Sequence, residues 1–347
     1  MGLDIIIDAD RIRKNAESIR AAAADKRLTL MVKADGYNHG AKIVAALTKE
    51  YADCFGVATL SEAKELTAAG ITLPVTVFSP FPREMPEIVN SGYVPVVHSA
   101  ECLENLKNAV GATVDIKIDT TMNRLGFRGM AAVKDAARTA RELGLNIRSL
   151  LTHIPDPARA QKSISLFNIY KGIFEEAFGK RLPGEYAASD GIIRCLGGDG
   201  YRIGRLLYSG AMNVYGTVLA KGYLKKGESA GYNGIYTAPF DTVTAIVSGG
   251  YYDGVRRDYH GAKLHFKGNT MTIAAVCMDV TIVAEVPPEL KVGDTVRLFD
   301  GNSEMGVGDA NIYETMTSFK GRTRRKYLSN GQIHTEEDYI RTLFETL

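Results

Sequence analysis

Lys33 closes the apolar run Leu28-Thr29-Leu30-Met31-Val32 and is followed at once by the turn-rich stretch Ala34-Asp35-Gly36-Tyr37-Asn38-His39-Gly40. An amine at the exit of a buried strand shifts its pKa readily when desolvated, and a neutral amine can attach covalently to an aldehyde. A lone strand-end lysine is more often a plain solvated charge, so the weight falls on its company. The ends of later apolar runs carry Lys117, Asp119 with Arg124 just beyond, His153, Ser189, and Arg202 with Gly204. Together they offer an amine, cations for a carboxylate or phosphate, an imidazole and a glycine-bearing turn. That collection suits a phosphorylated aldehyde, and pyridoxal phosphate fits best: its protein must supply an amine, a phosphate cradle and a group facing the pyridine nitrogen.

Strands and helices must bring these residues to one place. From Leu28 to about Leu207, eight short apolar runs alternate with stretches rich in Ala, Leu, Glu and Lys, among them Ser61–Leu66 and Ala131–Leu143. The runs are 28–33, 55–60, 74–79, 94–99, 114–119, 147–153, 186–189 and 201–205. Ser61 is the expected N-cap of its helix. Eight alternations predict parallel βαβ units closing into a (β/α)8 barrel, whose chemistry gathers at the C-terminal ends of its strands. A doubly wound open sheet is the rival; no run is followed by the G-x-G-x-x-G opening that would favour it. Beyond about Gly210 helical periodicity stops. The β-rich runs 242–247, 263–266, 270–276, 280–286 and 295–299 follow between glycine turns, predicting a mostly antiparallel β domain. The expected division is a barrel over residues 9–222 and a β domain over 223–347, with residues 1–8 joining the latter. A last helical pattern covers 336–345.

Composition narrows the classes. The 347 residues are 45% hydrophobic and 24% charged, with a formal net charge of +2, ordinary for a globular protein with a large core. Lys and Arg are scattered, so no nucleic-acid footprint emerges. The dense basic run Lys320-Gly321-Arg322-Thr323-Arg324-Arg325-Lys326 reads as a solvated strand or loop. Cys54, Cys102, Cys195 and Cys277 are far apart with no CxxC pair, so neither a metal site nor a disulfide framework follows. No charged-then-apolar leader precedes the first helix pattern and no apolar stretch approaches the ~20 residues that span a bilayer. The expectation is a soluble, cytoplasmic protein.

Several motifs are more specific. Val32–Gly40 closely resembles the cofactor-attachment motif of bacterial alanine racemases. Lys117-Ile118-Asp119-Thr120-Thr121-Met122-Asn123-Arg124-Leu125-Gly126 resembles that family's K-x-D-T-G-M-x-R-x-G element. Thr152-His153, then Arg202-Ile203-Gly204 with Tyr208, follow in the family's order. Gly250-Tyr251-Tyr252-Asp253-Gly254-Val255-Arg256-Arg257 resembles its G-Y-x-D-G-x-x-R signature, and Cys277-Met278-Asp279 and Tyr313-Glu314 resemble two later elements. The likeness covers nearly the whole chain.

The resemblance implies a racemase dependent on pyridoxal 5'-phosphate that interconverts L- and D-alanine and supplies D-alanine for peptidoglycan. Racemisation removes a proton from one face of Cα and returns it on the other, so two acid/base groups must flank the substrate. The resemblance assigns them to Lys33 for the D-face and Tyr251 for the L-face, with Tyr251 reaching the active site of a partner subunit in a head-to-tail homodimer. It implies that Arg202 faces the pyridine nitrogen. Tyr37, Tyr313 and the backbone of Gly204 and Arg205 would hold phosphate, with His153 beside the ring. Arg124 and the backbone of Met278 would hold the substrate carboxylate, and Lys117 matches a lysine often carbamylated in the family. In that family an Asn-Ser pair on the seventh strand is common, its serine hydroxyl holding phosphate, where this chain has Ser189-Asp190; either Ser189 takes the phosphate role through a one-residue shift or Asp190 points away. Thr121, Asn123, Tyr252 and Val255 also depart from the pattern, which leaves a serine or broad-specificity racemase open. Tyr313 narrows the site and favours alanine. A decarboxylase of the same design is a weaker reading, because its cysteine-bearing C-terminal motif is absent. A non-catalytic cofactor carrier would lack the β domain.

Overall fold

The computed structural model describes residues 2–154, 157–301 and 311–344. They divide into two compact units: residues 14–36 and 40–207, and residues 1–13, 37–39 and 208–347. The first strand of the chain, β1 (Asp4–Asp8), belongs to the second unit.

The first unit is an eight-stranded, all-parallel, nearly closed barrel. Its strands are β2 (Arg27–Met31), β3 (Cys54–Val57), β4 (Val75–Val77), β5 (Val94–Val97), β6 (Thr113–Lys117), β7 (Asn146–Leu151), β8 (Gly184–Glu185) and β9 (Gly200–Ile203). Their order, β8-β7-β6-β5-β4-β3-β2-β9, is joined at its ends by a single parallel bridge between Ala187 and Tyr201. β3, β4 and β9 are buried throughout, as strands covered on both faces must be. Helices cover the outside. Helix Met130–Glu142 turns Val133, Ala136, Ala137 and Ala140 inward at helical spacing and leaves its charges to solvent.

Two local expectations need correcting. The N-cap of helix Leu60–Ala68 is Thr59 and not Ser61: the Thr59 hydroxyl accepts from the Glu62 amide, and the Glu62 carboxylate accepts from the Thr59 amide. That reciprocal box satisfies two helix-end donors, which Ser61 inside the helix cannot do. The run Tyr186–Ser189 is not a strand. The strand is Gly184–Glu185, and Ser189 opens the short helix Ser189–Ile193.

The second unit is a mostly antiparallel sheet. After β10 (Met212–Leu224) come a small hairpin of β11 (Ser229–Ala230) and β12 (Tyr236–Thr237), then β13 (Thr242–Ser248), β14 (Lys263–Phe266), β15 (Asn269–Val276), β16 (Val280–Ala284), β17 (Thr295–Asp300), β18 (Arg324–Ser329) and β19 (Gln332–Thr335). The main sheet runs β14-β15-β16-β13-β10-β1-β18-β19, with β17 also on β10. Among the described residues its one parallel pairing is β1 with β18, and β18 takes in only Arg324, Arg325 and Lys326 of the basic run near the C-terminus. The 13-residue β10 gave no clear strand pattern, because Gly216 and Gly222 interrupt its alternation. Helix Ile312–Ser318 was also unforeseen: seven residues capped by the Asn311 side chain are too few for periodicity to show. Helix Glu336–Phe344 follows β19. Among the described residues no helix is long and apolar enough to cross a membrane.

Candidate active site

Lys33 does not simply end a strand. It opens the turn Lys33–Asn38, in which five successive residues have positive φ: Ala34 (54°), Asp35 (52°), Gly36 (62°), Tyr37 (53°) and Asn38 (68°). This is a turn of left-handed helix. Only Gly36 adopts it without strain; each residue with a Cβ costs about 1–2 kcal/mol there. Neighbouring groups over-determine the shape. The Gly36 amide donates to the Val32 carbonyl at 2.8 Å and the Gly40 amide to the Asp35 carbonyl at 2.9 Å. Glu62 accepts from the Ala34 amide at 2.8 Å with one oxygen and from the Ala58 amide at 2.6 Å with the other, while Asp35 accepts from the Ala41 amide at 2.8 Å. Backbone strain held this firmly is characteristic of functional sites.

The segment after β6 is built around one carboxylate. Asp119 accepts from the amides of Met122 (3.0 Å), Asn123 (3.1 Å) and Arg124 (2.7 Å). Backbone bonds between Lys117, Asp119 and Phe127 then close the loop. Gly126 lies where the chain doubles back, and a Cβ there would stand 2.8 Å from the Asp119 nitrogen. Asp119 and Gly126 together present Arg124 at the exposed tip.

Arg202, at the end of β9, is buried and held from below. One guanidinium nitrogen donates to the Glu185 carbonyl at 2.9 Å and lies 3.5 Å from its carboxylate; the other donates to the Thr152 carbonyl. Burial and the cations around it govern the rest of the barrel's C-terminal end. Desolvation lowers the Lys33 amine, and Arg124 lowers it further against the pull of Glu62. Lys117 falls well below the ordinary lysine range through desolvation, then Arg202 and Arg124. His153 is driven down to about 3 by desolvation and by Lys117, Arg202, Arg124 and Lys33, so its imidazole stays neutral at physiological pH. Lys33, Lys117, Arg124, His153 and Arg202 therefore share one electrostatic neighbourhood. Ser189 belongs to the same unit. Its buried hydroxyl accepts from the Leu206 amide at 3.4 Å, beside the turn of Gly204 and Arg205. The Asp190 side chain lies outside the described residues.

Tyr37, Tyr313, Tyr251 and Met278 belong to the second unit. Tyr37 stacks at a tilt on Tyr208 (4.9 Å between ring centres) and Tyr313 (5.6 Å). Burial, with Tyr313 adding to it, pushes the Tyr37 phenol above its ordinary value, so it remains a hydrogen-bond donor. Tyr251 sits in a one-turn 3-10 helix whose glycines are dictated by backbone contact. A Cβ on Gly250 would meet the Cys277 carbonyl at 2.2 Å, and Gly254 needs φ 97°. The Tyr251 and Tyr252 amides donate to the carbonyls of Cys277 and Met278, and buried Asp253 pairs with Arg322. Tyr251 and Met278 are thus presented side by side, 37% and 47% exposed.

Family models for the alanine racemase N-terminal domain and C-terminal domain match residues 7–211 and 211–327. The chain belongs to the alanine racemase family. It is 31% identical to the alanine racemase of Yersinia pestis bv. Antiqua (strain Angola) over 93% of this chain and 98% of that one. It is 30% identical to the alanine racemase of Haemophilus influenzae, over 91% and 92%. Among solved structures, the alanine racemase of Streptomyces coelicolor A3(2) superposes with a TM-score of 0.86 at 22% identity, covering 95% of this chain and 98% of that one.

Three further residues support these alanine racemase motifs in ways their sequence did not show. Glu62 secures the start of the Lys33 turn, and its spacing from Thr59 was the available signal. Asp119 organises the Arg124 loop. Glu185 holds Arg202, and nothing in its local sequence announces that.

Proposed function

We propose that this alanine racemase family member interconverts L- and D-alanine with pyridoxal 5'-phosphate held on Lys33. The observation that carries the reading is the crowd of cations around an amine of lowered pKa, with a neutral His153 among them. Such a donor set fits an anionic aldehyde: an uncharged amine is the form that bonds to a carbonyl, and surrounding cations favour a phosphate and a carboxylate. When bound, the cofactor supplies an electron sink for the Cα anion.

The protein's own groups divide the remaining work. Tyr37, Tyr313, Ser189 and the backbone of Gly204 and Arg205 hold the phosphate, and Arg202 faces the pyridine nitrogen. A guanidinium does not give up its proton at working pH, so Arg202 would donate to that nitrogen and would limit the charge the bound cofactor draws from Cα. His153 would stand beside the ring. Arg124 and the Met278 backbone hold the substrate carboxylate. Lys33 moves the proton on one face of Cα, and Tyr251 of the partner subunit moves it on the other, in a head-to-tail homodimer. The Lys117 amine, whose proton affinity is lowered by burial and by the neighbouring guanidiniums, adds to carbon dioxide with loss of one proton, giving a carbamate that those guanidiniums stabilise.

The deciding measurement is exchange of the alanine Cα proton in heavy water, together with D-alanine formation from L-alanine. Lys33→Ala removes cofactor attachment and turnover. Tyr251→Phe keeps the cofactor absorbance and loses turnover, chiefly from the L side. A protein that binds cofactor and exchanges no alanine Cα proton overturns the racemase reading. Comparison of kcat/KM for alanine, serine and larger amino acids sets the substrate range, since a pocket for a methyl group rejects an added hydroxyl only weakly.

A further inference from the structure

The second unit carries a chain of contacts that ends on the Lys33 turn and begins outside the family's C-terminal domain, whose match stops at residue 327. Helix Glu336–Phe344 lies beyond that point. Its buried Tyr339 stacks flat on the buried ring of Tyr327, with centres 5.2 Å apart and planes 10° from parallel. Salt-bridged Arg325 and Glu336 tie β18 to the start of the same helix at 2.7 Å. The Tyr327 hydroxyl donates to the His39 carbonyl at 3.0 Å. His39 follows the last left-handed residue, packs its ring on Tyr208 at 4.6 Å, and turns its Nδ1 to the Tyr37 carbonyl at 2.9 Å. The Tyr37 ring rests on the other side of that cluster, against Tyr208 and Tyr313. Asn38 gives a second anchor, donating to the carbonyls of Met316 (3.0 Å) and Phe319 (2.8 Å).

A backbone held in the left-handed region persists only where its surroundings impose it. We propose that helix Glu336–Phe344 is a positioning element for the phosphate-holding hydroxyl of Tyr37, acting through Tyr339, Tyr327 and the His39 carbonyl. Tyr339 fixes the plane of the Tyr327 ring, and the Tyr327 hydroxyl fixes the peptide that ends the strained turn. Tyr37, two residues earlier, is thereby aimed. This rests on the reading of pyridoxal phosphate as cofactor and of Tyr37 as a phosphate contact.

The test compares two aldehydes that differ only in the group Tyr37 would touch. The full-length protein and its Tyr327→Phe and Tyr339→Ala variants are titrated, after cofactor exchange, with pyridoxal phosphate and with pyridoxal, and binding is read from absorbance. Each variant is expected to weaken pyridoxal phosphate about 3–10-fold, the worth of one well-placed hydrogen bond. Pyridoxal should bind each variant as it binds the parent. Tyr327→Phe deletes one oxygen and leaves the ring stack, so it decides the matter even where Tyr339→Ala fails to fold. Equal weakening of both aldehydes marks a merely structural role and overturns the proposal, as does no change in either. If the unsubstituted protein binds neither aldehyde, the cofactor reading itself falls.

Discussion

The lumen of the barrel and its C-terminal mouth are both rich in cations, and they treat them in opposite ways. In the lumen, Arg148 meets Asp115, whose carboxylate also accepts from the Ser149 hydroxyl at 2.9 Å. Arg27 meets Glu185 and donates to Ser149 at 2.9 Å. Arg202 caps the series on Glu185. Buried charges are tolerated when each is paired and hydrogen-bonded. At the mouth, Lys33, Lys117 and Arg124 form no ion pair among the described residues, and the nearby carboxylates of Glu62 and Asp119 are engaged by backbone amides. The mouth cations lower one another's proton affinity instead. A region balanced within itself is scaffold. A region left positive attracts anions.

The contrast breaks most visibly in the lumen. Glu185→Ala leaves half-buried Arg27 and buried Arg202 without their shared carboxylate, and should lower unfolding stability by about 3–5 kcal/mol in denaturant titration. A loss below about 1 kcal/mol would mean the lumen pairs are not what holds the barrel. The mouth should respond to an anion: inorganic phosphate at a hundred times its Kd should stabilise the cofactor-free protein by about 2.7 kcal/mol in thermal melts, and Arg202→Met should shrink that gain.

Acid should act on the mouth as well. His153, near 3 when folded, lies below its unfolded value of about 6.5. The unfolded chain takes up the proton first, so stability present above about pH 6.5 is lost as pH falls toward 3. Between pH 6.5 and 5 the loss is at most about 2 kcal/mol; His153→Gln should flatten that part of the profile. The smallest effect has the opposite sign. Lys117→Met removes a crowded amine, and should raise stability of the cofactor-free protein by about 1 kcal/mol while reducing activity. If Lys117→Met destabilises instead, the amine is already compensated and the contrast with the lumen is weaker.

Much of this was legible in the residues. The eight apolar runs marked the barrel strands to within a few residues because parallel strands are buried on both faces. The residues at their ends, Lys33, Lys117, His153 and Arg202, share the mouth because a barrel gathers its strand ends. Failures fell where one residue's partner is distant in sequence. β10 hid behind two glycines, and it is Glu62 reaching back that makes Thr59 and not Ser61 the cap of its helix. Glu185 carries no local mark of its role, since only the fold brings it to Arg202, 17 residues on.

The chain by itself determined the kinds of chemistry available: an amine at a strand exit, cations at the ends of others, and a glycine-tyrosine turn in a β-rich region. Those follow from side-chain type and local periodicity, which are properties of neighbours along the chain. Only the tertiary structure decided which charges are matched and which crowd together, and that Lys33 stands at the head of a left-handed turn. Electrostatic energy and backbone strain depend on groups brought close from distant positions, and no local pattern records that closeness.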